Sequence, residues 1–513
     1  MNPTSEITTP DPENADAENS VRQLTDDSPA NKDGLLDRLC AEPAETIRQV
    51  AAGGDKTLLI DVVRSATERL IRSTERGLDL SEEDLSRLDL SGLDLRLANL
   101  TRTRLDSTKF GGANLSGATL ICPMAERTSM RDAELRDGYS HALAVVSSDW
   151  SGIDMRGALD STGALFHGVQ FVDARLAGGN YAGTTFYQCD LTNADLRSCD
   201  LSGATFNECV MRGTRLDNAE VTHLTMTRSN AYGLVMAGAT GTGVTIQSMT
   251  GMDGLNLAAA SLPDLRVRNA AIVDGVLTGA ALPGLDMTSV TLINSQLDNC
   301  DLTGATLRTV TGQHNSVKRV HAADVSFIDC RLPVTDLSGA SMENARFLRC
   351  IMPNSRFTDV HDGAVRASFT GRALVVRDCD LTAADFTNAY LYRASFTGDP
   401  VTGMTLDSAN FSHANLIQAY VAASMKQADL RRMLGAYSRF NQSDLTGANL
   451  AAASLYQASF VKTVLINASL RGVAPPVFLD RCAGLTDDSL DQPLQAWCRE
   501  FSRALAGQRT GST

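Results

Sequence analysis

From Leu80 onward an apolar residue recurs at every fifth position: Leu80, Leu85, Leu90, Leu95, Leu100, Leu105, Phe110, Leu115 and Leu120. The same spacing returns across 166–216, 282–307, 381–421 and 445–470. A period of five fits neither the 3.6 of a helix nor the 2.0 of a flat strand. A chain built on so short a repeat is not divided by the usual domain-size rule, because each unit buries its apolar face only against its neighbours.

The positions around each apolar centre are also patterned. Two before it the residue is small, as at Ala98, Ala113, Ala194, Ala305, Ala389 and Ala448. Just before it stands Asp or Asn, as at Asn99, Asp195, Asp301, Asn410 and Asn449. Ser, Thr or Arg follows, then often Gly, as at Gly117, Gly203, Gly304 and Gly447. If each five-residue unit turns one corner, the large and the small residue both point inward and four units close a square. Squares stacked at strand spacing, about 4.8 Å, pair the backbone groups of each coil with those above and below. Gly and Asn/Asp suit corners that need unusual backbone angles. Aromatic residues make up only 5% of the chain, so small aliphatic side chains must fill the interior.

Stretches such as ANLSGATL (113–120), ADLRSCDLSGATF (194–206) and SDLTGANLAAASLYQASF (443–460) resemble the A(D/N)LXX consensus of the pentapeptide-repeat family. The resemblance spans 78–472. It implies an all-β fold, a right-handed quadrilateral β-helix with four repeats per coil. That length makes about 20 coils, roughly 95 Å at strand spacing. Leu100, Leu115, Leu191, Leu196, Leu201, Leu302, Leu391, Leu416, Leu450 and Leu455 are expected along its axis.

The eleven cysteines test this picture. Cys189, Cys199, Cys209, Cys300, Cys330, Cys350 and Cys379 all fall two before a centre, in the small slot. They read as reduced core thiols, slightly larger than alanine. Cys189 and Cys209 stack one coil apart, where a disulfide is geometrically conceivable.

The frame of the repeat slips in places. Centres sit at multiples of five to Met155, shift by one from Phe166 and again from Met252, slip near 358–378, and return by Met425. Segments 121–165, 225–256 and 358–378 therefore stand out as irregular, either as decayed repeat or as loops that bind.

The ends read differently. Residues 1–32 hold seven acids against Arg22 and Lys32 and are expected to be a disordered tail; they do not read as a secretory signal. Residues 33–77 read as a helical cap, with a stop at Gly53 and Gly54. Residues 473–513 read as a C-terminal cap and tail, in which Leu490, Leu494, Trp497, Phe501 and Leu505 share a helical face. Open solenoid ends need covering, so capping is the plain reading of both segments. The sharper reading gives Trp497 and Phe501 a partner contact or a homodimer.

Little in the sequence points to chemistry. Gly138, Tyr139, Ser140, His141 and Ala142 loosely resemble a nucleophile elbow, but the strand–turn–helix setting is missing. Gly241, Thr242 and Gly243 lack the following helix of a phosphate loop. His314, Lys318, Arg319 and His321 form a small basic patch that reads as a solvated corner. The recurrent Asp residues read as turn formers. No catalytic constellation, metal set or cofactor site emerges.

With 60 acidic and 46 basic residues the net charge is −14, which disfavours direct nucleic-acid or anionic-membrane binding. No stretch reaches the ~20 apolar residues that span a bilayer. The expectation is a non-enzymatic protein-interaction scaffold in a bacterial cytoplasm, its partner unnamed. The resemblance implies an alternative, since some pentapeptide-repeat proteins mimic duplex DNA and bind type II topoisomerases. A third reading takes the Ser/Thr/Pro/Asn-rich start as the export signal of an effector delivered into a host cell, where it would meet a host protein.

Overall fold

In the computed structural model the described residues are 29–158, 160–358, 360–362, 365–367, 369–398 and 403–509. They fall into two units, Met1–Asn230 and Ala231–Thr513. Both are parallel β-solenoids built on the same pentad, with few helices.

Four backbone hydrogen bonds recur in the pentads: one joins the corner to the next coil, as where Gly117 N donates to Arg136 O at 2.8 Å, and three set the shape of the unit. The N–H of a centre donates to a carbonyl one coil on, as Leu100 does to Thr119 O at 2.8 Å. The residue before the centre donates one coil back, as Asn99 does to Leu78 O at 2.9 Å. The third closes the corner, where Ala118 N donates to Leu115 O at 2.9 Å. That corner is a turn whose third residue has positive φ, 71° at Gly117 and 56° at Asn193, which is why Gly and Asn/Asp recur there.

The ladders run in steps of one coil. In the first unit they link Met124–Glu126, Ala144–Val146, Leu165–His167, Thr185–Tyr187, Thr205–Asn207 and Thr225–Thr227, each parallel to the next. In the second they link Arg266–Val273 to Asp286–Ile293 over seven register pairs, then continue through Ser326–Ile328 to Tyr420–Ala422.

The ten leucines expected on the axis are all buried. Aromatic centres stack coil on coil, with ring centroids 5.2 Å apart for Phe166–Phe186 and 4.7 Å for Phe186–Phe206. Centre and slot exchange bulk. Tyr181 sits over Gly179, where a Cβ would come within 2.5 Å of its ring, while Gly371 and Gly435 are centres whose slots hold buried Phe369 and Met433. Total volume, more than residue type, is what each pentad conserves.

The slot has a chemistry of its own. A hydroxyl or thiol there meets the carbonyl of a centre 23 residues earlier. Thr103 Oγ1 donates to Leu80 O at 2.8 Å, Cys199 Sγ to Leu176 O at 3.2 Å, and Cys300 Sγ to Leu277 O at 3.0 Å. A slot can therefore hold Ser, Thr or Cys as readily as Ala. All seven slot cysteines are buried free thiols, and burial pushes Cys199 up to about 12.

The irregular segments resolve differently. Residues 121–158 keep the coil; Ala125 and Ser140 merely occupy centres, while bulky Leu143, Trp150 and Ile153 are buried. Residues 225–256 also keep it, with one extra residue near Met252. The coil is interrupted at 357–369, where partners lie 29 residues apart instead of 20. Part of the extra chain pairs as an antiparallel hairpin, Val360–Asp362 with Val365–Ala367. A second interruption, at 398–404, makes partners 25 apart. Five extra residues leave the frame unchanged, so the sequence reads straight through, with Val401 as a centre. Val401 lies outside the described residues, while Met404 fills the next slot. Here Gly398 lies against the Met404 backbone, and a Cβ would sit 2.1 Å from Met404 N. These two long turns make the count of 20 coils slightly high.

Both ends are covered. Helices α1 (Pro29–Ala41), α2 (Pro43–Ala52) and α3 (Lys56–Thr74) bury Leu39, Ile47, Val63 and Ala66. Their polar side chains also satisfy first-coil carbonyls: Arg48 Nη2 donates to Asp84 O at 2.7 Å, Lys56 Nζ to Asp89 O at 2.6 Å and Thr67 Oγ1 to Asp94 O at 2.7 Å. At the other end Leu470 N donates to Ser489 O at 2.9 Å. Helix α4 (Gln492–Arg509) follows, with Leu494 fully buried. The acidic tail 1–28 lies outside the described residues.

Cys199→Ala removes one sulfur and leaves Leu176 O a second donor, Gly179 N at 3.3 Å; it is expected to cost under about 1.5 kcal/mol in chemical denaturation. Thr67→Val keeps the volume but strips the edge carbonyl of its hydroxyl. It is expected to cost about 1–2 kcal/mol in the same measurement.

Candidate functional site

The side chains that could carry chemistry are mostly engaged by the coil. Asp190 Oδ1 accepts the Thr192 backbone N–H at 2.9 Å and its hydroxyl at 2.6 Å. Asp301 with Thr303, Asp380 with Thr382 and Asp444 with Thr446 repeat this arrangement. These carboxylates form turns at the corners, as their place in the repeat suggests.

One ladder of the first unit runs Asp94, Asn114, Glu134, Asp154, Arg175, Asp195 and Arg215, alternating acid with arginine from Asp154 on. Asp154, whose side chain is 5% exposed, accepts Arg136 Nε and Arg156 Nη2, both at 2.8 Å. Arg197 Nη2 meets Asp195 at 2.6 Å, and Arg96 Nη2 meets Asp94 at 2.7 Å. Burial alone would raise the Asp154 pKa, but the Arg156 and Arg136 hydrogen bonds outweigh it and hold the carboxyl at about 2. Charge on this side is locally compensated and forms no acidic stripe.

The singled-out motifs resolve as coil parts. Ser140 points inward, 2.6 Å from the Ser161 hydroxyl. His141 points outward, its Nδ1 3.3 Å from Asp160. Serine and histidine therefore face opposite sides of one strand, Tyr139–His141, and form no nucleophile–base pair. Gly241 occupies a centre position and Gly243 a corner with φ 69°. In the basic patch His314 is a corner with φ 57°, Lys318 pairs with Asp336 at 3.4 Å, and Arg319 donates to Asn299 at 2.9 Å. Among the described residues no group of three or more His, Cys, Asp or Glu could hold a metal ion, and no helix is long and apolar enough to cross a membrane.

Trp497 is half-buried, and its indole N–H donates to Val477 O at 2.8 Å, so α4 is tied to its own solenoid. The Phe501 side chain lies outside the described residues.

The outward surface holds what the period did not reveal. In the second unit Tyr390, Tyr420, Leu434, Tyr437 and Tyr456 are 38–49% exposed on neighbouring coils. With half-buried Tyr392 they hold five of the chain's nine tyrosines. A signal was available, since each tyrosine stands outside the centre and slot positions. It is invisible to a reading of the inward residues.

Eight copies of a family profile described as pentapeptide repeats match residues 84–120, 98–137, 170–207, 194–230, 276–308, 376–398 and 443–473. Among solved structures, full-length QnrB1, a plasmid-mediated fluoroquinolone resistance protein, is 14% identical. The match covers 53% of this chain and 100% of that one, with a TM-score of 0.17. HetL, a pentapeptide repeat protein involved in heterocyst differentiation regulation from the cyanobacterium Nostoc sp. strain PCC 7120, is 17% identical, over 72% and 96%, with a TM-score of 0.10. Rfr23 from the cyanobacterium Cyanothece 51142 is 15% identical, over 32% and 95%, with a TM-score of 0.13. Superpositions this poor carry no functional argument. No curated protein matches the sequence.

The depressed Asp154 carboxyl contributes stability that is complete above the ordinary carboxylate range and is lost as pH falls toward 2. Asp154→Asn is expected to lower the melting temperature at neutral pH and to flatten its fall between about pH 4 and pH 2. Thermal scans across that range check both.

Proposed function

Because this chain belongs to the pentapeptide-repeat family, we propose that it is a non-catalytic scaffold that holds a protein partner on its outward faces. The observation that supports this best is the division of roles within the pentad. Centre and slot are consumed by packing, and an Asp or Asn before the centre by a turn. The outward side chains are thus left at fixed steps of about 4.8 Å on a backbone that is hydrogen-bonded coil to coil. Such a surface arrives ordered, so little entropy is lost when a partner binds.

The reading as a DNA mimic acting on a type II topoisomerase rests on the net charge of −14. The alternation of Asp154, Asp195 and Asp94 with Arg156, Arg197 and Arg96 argues against it, since a paired carboxylate does not present a phosphate-like field. The exported-effector reading rests on residues 1–28, and deletion of residues 2–30 with an export assay tests it.

Affinity capture from native lysate, with a variant replacing 358–378 as control, is expected to return a protein at fixed stoichiometry. Supercoiling by a purified type II topoisomerase is expected to be unaffected. Inhibition of that enzyme with no other partner captured would overturn the scaffold reading in favour of mimicry.

A further inference from the structure

We propose that one face of the second unit docks an acidic, apolar-bearing polypeptide segment of another protein. The proposal rests on the scaffold reading and adds to it the surface and the chemistry of the partner.

The face is formed by two neighbouring ladders and the corner between them. One ladder runs from Thr370 through Tyr390, Asn415 and Leu434 to Ser454; the other runs from Val375 through Ser395, Tyr420 and Arg439 to Ser459. Tyr392, Arg393, Ile417, Tyr437 and Tyr456 lie on the corner.

Charge complementarity selects the occupant. The chain as a whole is acidic, yet no Asp or Glu stands on these two ladders or on their shared corner. Three guanidiniums do, those of Arg372, Arg393 and Arg439, and none of them has a carboxylate within salt-bridge distance among the described residues. Arg393 Nε donates to the Gln418 amide oxygen at 2.8 Å, and its guanidinium lies 5.1 Å from the Tyr392 ring centroid. Elsewhere many of the coil's arginines meet carboxylates, as Arg96, Arg156, Arg197, Arg349 and Arg431 do; here exposed tyrosines and aliphatics stand beside guanidiniums with no acid among them. Tyr and Arg are the residues that anchor protein interfaces, because each offers a large contact area at small entropic cost.

The ring geometry favours a polypeptide over a single-stranded nucleic acid. Base stacking needs free, roughly parallel faces along a cationic track. Here Tyr390 and Tyr392 lie against one another at 6.2 Å and 24°, Arg393 covers Tyr392, and Tyr437 meets Tyr456 edge-on at 80°. Ile417 and Leu434 add aliphatic surface. Three separated cations match a few carboxylates flanking apolar side chains.

The probe is a phage-displayed library of random linear peptides, selected on the full-length chain. Recovered peptides are expected to carry Asp or Glu beside apolar residues and to bind more weakly as salt is added. A Tyr420→Ser/Tyr437→Ser variant, and separately Arg393→Glu, are each expected to weaken them at least about tenfold while the melting temperature stays at the wild-type value. Recovery of no binding peptide, or of peptides that neither variant affects, overturns this face. Binding of a single-stranded oligothymidylate that is lost in the same variants overturns the polypeptide assignment. Displacement of the selected peptides by a synthetic peptide of residues 1–28 at lower concentration makes the chain's own tail the occupant and overturns a foreign one. Failure of the underlying scaffold reading looks different: lysate capture then returns no partner on any surface of the chain.

Discussion

Everything in this protein depends on a carbonyl and an N–H meeting one coil apart. The bond from each centre N–H to the next coil, and its counterpart from the preceding residue, recur with a period of four pentads in both units. Neither bond could form unless the chain turned a corner every five residues. The positive-φ corner, the small slot and the large centre are the conditions for that turn. Apolar burial then holds the squares together, but it is the ladder that sets their spacing and so the spacing of everything displayed outside.

This constraint explains which sequence changes the fold absorbs. A centre can be Gly if its slot is Phe, as at Gly371 and Phe369, and a slot can be Gly if its centre is Tyr, as at Gly179 and Tyr181. A residue can be added at a corner, as near Met252, because only the turn lengthens while the ladder resumes. Whole loops can leave the coil where their two ends come together. Gly398 against Met404 closes one such base, and any side chain there would collide with the backbone. At the N-terminal end, where the first coil has no predecessor, Arg48, Lys56 and Thr67 take the place of the missing donors.

The inward half of the molecule was legible in the sequence because the period is a direct record of burial. The leucine axis, the slot cysteines and the helical caps could all be placed from spacing alone. Three things could not. The loop at 398–404 adds a multiple of the period, so counting cannot detect it. The Asp–Arg pairing on the first unit depends on residues 2 and about 20 apart in sequence, Arg156 and Arg136 around Asp154, and net charge averages it away. The tyrosine face is assembled from single outward residues on successive coils, and only the register brings them together. Outward positions follow no packing rule, so they are free to vary and hard to read. For the same reason they are where this protein's function would be written.

The most direct test of the account is hydrogen–deuterium exchange of the full chain, resolved to short peptides. If the ladder is the basis of the structure, amides of centre residues such as Leu196, Leu201, Leu391 and Leu416 exchange slowly in both units. The weakly periodic segments 121–158 and 231–256 are then as protected as their neighbours, and corner amides without a ladder bond exchange fast. Rapid exchange throughout those two segments, or protection that follows a helical period of about 3.6 residues, would contradict it.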